Sequence, residues 1–308
     1  MRFSVIIPAY NSAEFLGRCV GSMPASSEDM QIIIVNDGST DNTPEVLSAL
    51  REKDPGIEVI SQENKGVSAA RNAGIAAANG DYVLFVDADD EVFPGAIARV
   101  EAALAGQAPD IVVMRSLCGS EERYRWLGRL PEGECLTKED IGRDGYIRGS
   151  VCGCAFRRQY LMEHGLLFDE KLSNAEDTVF FARALSAGGK IVFRDIAFYS
   201  IDARPDSASR GADNSLVKKL GMALDAAARG VDDPLIRTRT CLCLIHNITD
   251  TGIRVGMSAA EVKALAPIDS VFPLATEGLG RTRHLVSLIR CSYPLFYRLK
   301  HLKMLLRK

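Results

Sequence analysis

Five apolar runs of strand length recur through the first 116 residues, with helical stretches between them. The runs are FSVIIPAY, QIIIVND, IEVISQ, DYVLFVDADD and DIVVMRS. Near-continuous apolar strands mark a parallel sheet, because the crossover helices cover both of its faces. Helical spacing appears from about Ser12 (Phe15, Leu16, Cys19 and Val20), in PEVLSALREK, in GVSAARNAGIAAANG and in PGAIARVEAALAG. Pro44 suits a helix start, and Asn79-Gly80 reads as a C-cap pair. This β-α-β-α order predicts an open, mostly parallel α/β sheet flanked by helices, with right-handed crossovers. Residues 117 to about 150 are less regular. A helix from about Glu176 and a further strand follow, and after FYSIDARPDSASR the chain reads mostly helical.

Ligands of such sheets bind beyond the carboxyl ends of the strands. Those ends carry Pro8-Ala9-Tyr10-Asn11, Asn36-Asp37-Gly38 and Asp87-Ala88-Asp89-Asp90, so the chemistry falls on one edge. No G-x-G-x-x-G and no G-x-x-x-x-G-K-[ST] is present, which removes the dinucleotide and P-loop readings. Tyr10 can flank a base or sugar, and Asp37 can accept from base N–H groups. The acids after the fourth strand suit a hard cation, Mg²⁺ or Mn²⁺. A cation bridging two phosphates would neutralise a diphosphate leaving group, which points to a nucleotide-diphosphate donor. Taken alone, Asp87 to Glu91 also reads as a solvated acidic turn, and Glu176-Asp177 as acids favoured at a helix N-terminus.

SVIIPAYN, VNDGSTDNT, ENKGVSAARNAGIAAANGDYVLFVDADD and NAEDTVFFARAL, in this order and spacing, together resemble glycosyltransferase family 2, the inverting transferases of GT-A fold. The resemblance covers residues 3–116 and resumes at roughly 147–207. It implies a GT-A catalytic domain over 1–210, with a nucleotide-sugar half (1–116) and an acceptor and catalytic-base half (117–210). A helical C-terminal extension over 211–308 follows. Pro8, Ala9, Tyr10 and Asn11 would line the nucleoside pocket, and Asp37 would recognise the base, as in a UDP-sugar. Lys65 and Arg71 lie where the family approaches the nucleotide or its phosphates. Asp87, Ala88 and Asp89 would form the D-x-D motif, with Asp87 nearer the ribose and Asp89 the leading metal ligand. Asp177 would be the general base, supported by Glu176, and Arg204 and Ser207 would belong to a lid.

The chain departs from the family pattern in places. Asn36 replaces a frequent Asp, Asp202 stands where a cation is common, and Cys152 and Cys154 fill a segment that often holds a large residue. The resemblance implies metal-dependent, inverting transfer of a sugar to a hydroxyl of a glycan or lipid-linked glycan, in cell-surface polysaccharide or cell-wall synthesis. The alternatives are a non-catalytic nucleotide-sugar-binding or scaffolding protein of the same fold, and a sugar nucleotidyltransferase. The latter would favour a glycine-rich basic phosphate loop near the first strand.

Charge is unevenly spread. Residues 278–308 hold eight Lys/Arg and no Asp/Glu, whereas the first 277 carry 29 Lys/Arg against 40 Asp/Glu. Leu295, Leu299, Leu302 and Leu306 recur at helical spacing among Arg298, Lys300, Lys303 and Arg307. Such a basic amphipathic helix either lies on an anionic membrane surface through residues 281–308 or packs on the protein with a solvated basic face. The acidic body and the lack of a recognition motif argue against nucleic acid. The eight cysteines show no C-x-x-C or zinc spacing and the N-terminus reads as a strand, so the expected location is cytoplasmic, including the inner membrane face.

Overall fold

The computed structural model describes residues 1–119, 121–122, 132–137, 140, 149–202, 213–272, 274 and 283–305. The chain forms two compact units: Met1–Thr137 with Ser150–Ser173 and Gly189–Arg204, and Lys138–Gly149 with Asn174–Gly188 and Pro205–Lys308.

The first unit runs β1 (Phe3–Ala9), α1 (Leu16–Gly21), β2 (Met30–Asp37), α2 (Thr43–Lys53), β3 (Glu58–Gln62), α3 (Val67–Ala77), β4 (Tyr82–Phe85), β5 (Glu91–Val92), α4 (Ala96–Leu104), β6 (Ile111–Cys118), β7 (Glu121–Glu122), β8 (Cys154–Arg157), α5 (Arg158–Glu163) and β9 (Ile191–Ile201). Its strands form one mixed sheet of order β3-β2-β1-β4-β8-β6-β9-β5, with β7 on β6. The first four strands in that order are parallel, as the apolar runs predict. Between β4 and β6 the antiparallel β8 is inserted, and β6 and β9 are again parallel. The CAFR segment that forms β8 follows the irregular stretch and is too short to show a period.

Register levels the strand ends. Ala9 pairs with Asn36, Asp37 with Gln62, and Phe85 with Ile6. Pro8 is tolerated inside β1 for a reason of direction. The Ile6 carbonyl faces β4, accepting from Val86 N at 3.1 Å. Pro8, two residues on, faces the same way but lies past the last β4 pairing, so its missing N–H costs no ladder bond.

Small residues set how closely α3 approaches the sheet. A Cβ on Gly74 would meet Ile6 Cγ2 at 2.3 Å, so only glycine fits there. Gly80 is not the helix C-cap that its sequence suggests. The helix ends at Ala77, and a Cβ on Gly80 would meet Ser4 N at 2.7 Å, so this glycine permits close contact with β1.

The second unit contains α6 (Glu176–Ser186), α7 (Asn214–Gly230), α8 (Pro234–Arg254), α9 (Ala259–Leu265), a 3₁₀ turn (Asp269–Val271) and α10 (Arg283–Leu305). The sequence writes their starts clearly. The Asp213 side chain accepts from Leu216 N, Asp233 accepts from Leu235 N and Ile236 N ahead of Pro234, and Ser258 with Glu261 forms a capping box. α10 is kinked at Ser292, ahead of Pro294, which has no N–H to donate to the preceding turn. Its buried side chains are Val286, Ile289, Tyr293, Phe296 and Tyr297. The Tyr293 hydroxyl and Thr249 Oγ1 of α8 lie 2.9 Å apart, and Lys300 pairs with Asp250 of α8 at 2.7 Å.

Candidate active site

The carboxyl edge of β1, β2 and β4, together with α3, collects Tyr10, Asp37, Arg71, Asp87 and Asp89 in the first unit. The loops after β1 and β2 are laced to each other. Asn11 adopts a left-handed φ of 49°. Its N–H donates to Ser39 Oγ at 3.0 Å, and its Oδ1 accepts from Thr40 N at 2.8 Å. Asn36 Oδ1 accepts from Ser39 N at 3.0 Å, a turn-building bond that an Asp at this position would make equally well. Tyr10 projects from this rim, 49% exposed, while Ala9 beneath it is buried and Pro8 half-buried.

Asp37 is only 3% exposed. Its Oδ1 accepts from the Gln62 side-chain amide at 2.7 Å and from Lys65 N at 2.9 Å, and its Oδ2 accepts from Gly66 N at 2.8 Å. The carboxylate therefore fixes the loop that leads into α3, and it still has lone pairs for a ligand. Gly66 adopts a φ of 89°, which favours glycine. Lys65 itself is exposed.

At the end of β4, Asp87 is held from several sides. Arg71 Nη2 donates to its Oδ1 at 2.9 Å, from a guanidinium that stacks over the Phe168 ring at 5.2 Å. The Cys152 thiol donates to its Oδ2 at 3.6 Å, and the Cys19 thiol donates to its backbone carbonyl at 3.6 Å. Burial, then the nearby Asp87 charge, pushes both thiols well above the ordinary range, so they act as neutral donors. Cys154 is buried within β8.

Tyr199 of β9 ties the turn down. Its hydroxyl accepts from Asp87 N at 3.1 Å and donates to Asp90 Oδ2 at 2.7 Å, while Asp90 Oδ1 accepts from Asp202 N at 2.8 Å. Burial pushes the Asp90 carboxyl up to about 7, against the pull of the Tyr199 and Asp202 hydrogen bonds. Arg18 of α1 clasps the turn from outside. It donates to the Asp89 carbonyl at 2.9 Å and pairs with Asp202 at 2.6 Å and Glu91 at 3.0 Å. Asp202, where the family often has a cation, is thus the partner of a cation supplied from α1.

Asp89 is half-buried beside Asp87, and Ala88 between them is buried. Among the described residues no group of three or more His, Cys, Asp or Glu is placed to hold a metal ion. Among the described residues, a cation at this edge would draw on Asp87 and Asp89. That donor set fits Mg²⁺ or Mn²⁺ arriving with a diphosphate, because such ions take one or two carboxylates and complete their shell with phosphates and water.

Glu176 and Asp177 open α6 in the second unit. The residue before them, Ala175, has a left-handed φ of 57° and no side chain that can cap. Asp177 is half-buried and accepts from Thr178 N at 2.8 Å, and Glu176 is buried. Asn11 and Ala175 are the only non-glycine residues with positive φ among the described residues, and each adjoins a predicted site residue. Arg204 and Ser207 lie outside the described residues.

The sequence does not mark Arg18 or Tyr199, and it marks Cys152 only as a departure from a large residue common in the family. Arg18 sits in an ordinary amphipathic stretch, and no local pattern could have marked it.

Residues 4–165, more than half the chain, match the family model described as glycosyl transferase family 2. Glycosyltransferase EpsJ of Bacillus subtilis is 32% identical over 66% of this chain and 62% of its own length, a little under two thirds. The succinoglycan biosynthesis protein ExoU of Rhizobium meliloti is 27% identical over 94% of this chain and 96% of its own. Among solved structures, S. aureus TarS 1-349 in complex with UDP-GlcNAc superimposes with a TM-score of 0.66 at 19% identity, over 97% of this chain and 90% of that one. A family model spanning β1 through α5, a likeness to ExoU over nearly the whole of both chains and a shared fold agree: the chain belongs to glycosyltransferase family 2.

Proposed function

We propose that the protein transfers a sugar from a UDP-sugar to a glycan or lipid-linked glycan hydroxyl, with inversion and with Mg²⁺ or Mn²⁺, in the synthesis of a cell-surface polysaccharide. The observation that carries this is the Asp87-to-Asp89 turn, braced by the buried Arg71 on the same sheet edge as Asp37 and Tyr10. The uridine donor is supported by the UDP-GlcNAc that TarS binds, and the polysaccharide setting by the succinoglycan role of ExoU. The catalytic region is 1–210, and 211–308 is the extension.

In this reading Pro8, Ala9, Tyr10 and Asn11 receive the nucleoside, and Asp37 reads the base while holding the Lys65 loop. Asp87 faces the ribose, and Asp89 is the leading metal ligand. Arg71, buried against Asp87, is assigned to holding that carboxylate, which leaves Lys65 as the exposed cation toward the phosphates. A bound Mg²⁺ or Mn²⁺ would supply positive charge to the departing diphosphate. Asp177, supported by Glu176, takes the proton of the acceptor hydroxyl as the oxygen attacks the anomeric carbon. A single displacement inverts that carbon without a covalent sugar–enzyme species. Arg204 and Ser207 belong to the lid.

The test is a donor panel of UDP-, GDP-, CDP- and dTDP-sugars, read by thermal shift with and without Mn²⁺. A Mn²⁺-dependent shift with a UDP-sugar is expected, and no response to any nucleotide overturns the reading. Asp177→Asn separates an enzyme from a binding protein. Donor binding should persist while transfer falls about 10²–10⁴-fold, the usual worth of a general base.

A further inference from the structure

The C-terminal helix is amphipathic twice over. One face of α10 builds the second unit through Tyr293, Phe296, Tyr297 and Lys300. A second apolar stripe stands outside it. Leu295, Leu299 and Leu302, spaced four and three residues apart, are 47%, 50% and 55% exposed. Helical geometry puts those three on one surface, and places Arg298 and Lys303, both exposed, on its two flanks. The sequence continues the pattern with Leu306, Arg307 and Lys308. The helix packs on the protein and also presents an apolar stripe outward.

We propose that this outward face of α10 docks in plane on an anionic lipid bilayer, with the leucines entering the acyl boundary and Arg298 and Lys303 meeting the headgroups. Three half-exposed leucines in register form one contiguous apolar stripe with a basic rim, the kind of exposed surface that marks an interaction site. Charge selects the occupant. No acid occurs from 278 to 308, so a second copy of the same face would set like charges against each other. A negatively charged lipid surface complements both parts, apolar stripe and basic flanks. No helix among the described residues is long and apolar enough to cross a membrane, so the contact is peripheral. This proposal stands apart from the donor reading, because it uses no residue of the sheet edge.

The test is flotation of the full chain with phosphatidylcholine vesicles, with or without phosphatidylglycerol. The expected result is flotation with the anionic vesicles only, weakened by high salt. Leu299→Glu/Leu302→Glu should abolish it and Arg298→Glu/Lys303→Glu should reduce it, with melting temperatures unchanged because all four side chains are exposed. As a check that does not depend on loss, Leu299→Trp should show a blue-shifted emission on the same vesicles. Absence of flotation by the wild-type chain, or flotation indifferent to both double substitutions, overturns the proposal. So does a dimer that Leu299→Glu/Leu302→Glu dissociates in a chain that never floats.

Discussion

Arg71 donates to Asp87 at 2.9 Å from a side chain that is only 4% exposed, so the strand-end carboxylate is set by a cation the solvent does not reach. The same guanidinium sits over the Phe168 ring, its Cζ 5.2 Å from the ring centroid. A lysine cannot do both, since its ammonium is compact and lacks the planar fork. Arg71→Lys should therefore loosen Asp87 and weaken UDP binding while leaving the fold intact. Arg71→Met leaves a half-buried carboxylate without its partner and should cost about 2 kcal/mol, below the range for a fully buried pair. Urea unfolding and UDP titration measure the two effects. An Arg71→Lys variant that binds UDP as tightly as the wild type would show that the pair does not position the site.

Asp37 supports a similar argument with neutral donors. Its two oxygens accept from Lys65 N, Gly66 N and the Gln62 amide. Asparagine has one carbonyl oxygen, so Asp37→Asn turns an N–H₂ toward at least one of these donors. That should cost about 1–3 kcal/mol, the penalty for a buried polar group left unmatched. If Asp37 also reads the base, UDP affinity should fall further than stability accounts for. Calorimetric titration beside a urea curve separates the two, and a loss of stability with unchanged affinity would confine Asp37 to the loop.

Asp37 and Asp87 were legible because each follows an apolar strand run, where a polar stop is conspicuous and the α/β rule says which edge it joins. Arg71, inside α3, was marked only by the family resemblance. The braces were not legible. Tyr199 reaches Asp87 and Asp90 from more than a hundred residues away, Cys152 reaches Asp87 across 65, and Arg18 reaches Asp89 across 71. Local periodicity carries no information about such partners. β8 was hidden for another reason, since four residues cannot display a strand period. Gly80 was misjudged because Asn-Gly after a helix suggests a cap, whereas the close contact with Ser4 is made only in the folded sheet.

Asp89 and Glu91 are two residues apart yet should behave oppositely. Glu91 pairs with Arg18 between side chains that are both well exposed, a contact worth about 1 kcal/mol or less. Arg18 also keeps the Asp89 carbonyl and Asp202 when Glu91 is gone. Glu91→Ala should thus leave Mn²⁺-dependent UDP binding near wild type, while Asp89→Ala should abolish the metal dependence. Titration of UDP with and without Mn²⁺ decides it, and equal effects of the two substitutions would mean the turn is misassigned.

His246 should make the second unit acid-sensitive. Its Nδ1 lies 2.8 Å from the Leu242 carbonyl, and its ring meets Phe296 of α10 at 5.4 Å. Burial holds the imidazole below its ordinary value of 6.5, helped by Lys300 and Lys303 and opposed by the Leu242 carbonyl and Asp250. As pH falls through 6.5 the unfolded chain takes up this proton first, so stability drops until the lower folded value is reached. Above 6.5 both states are neutral and this contribution is fully present. The slope from one group is at most about 1.4 kcal/mol per pH unit. His246→Phe keeps an aromatic ring against Phe296 and removes the titration. Urea midpoints at about pH 8 and about pH 5 should therefore converge in the variant relative to the wild type. An equal acid loss in both proteins would place the sensitivity elsewhere.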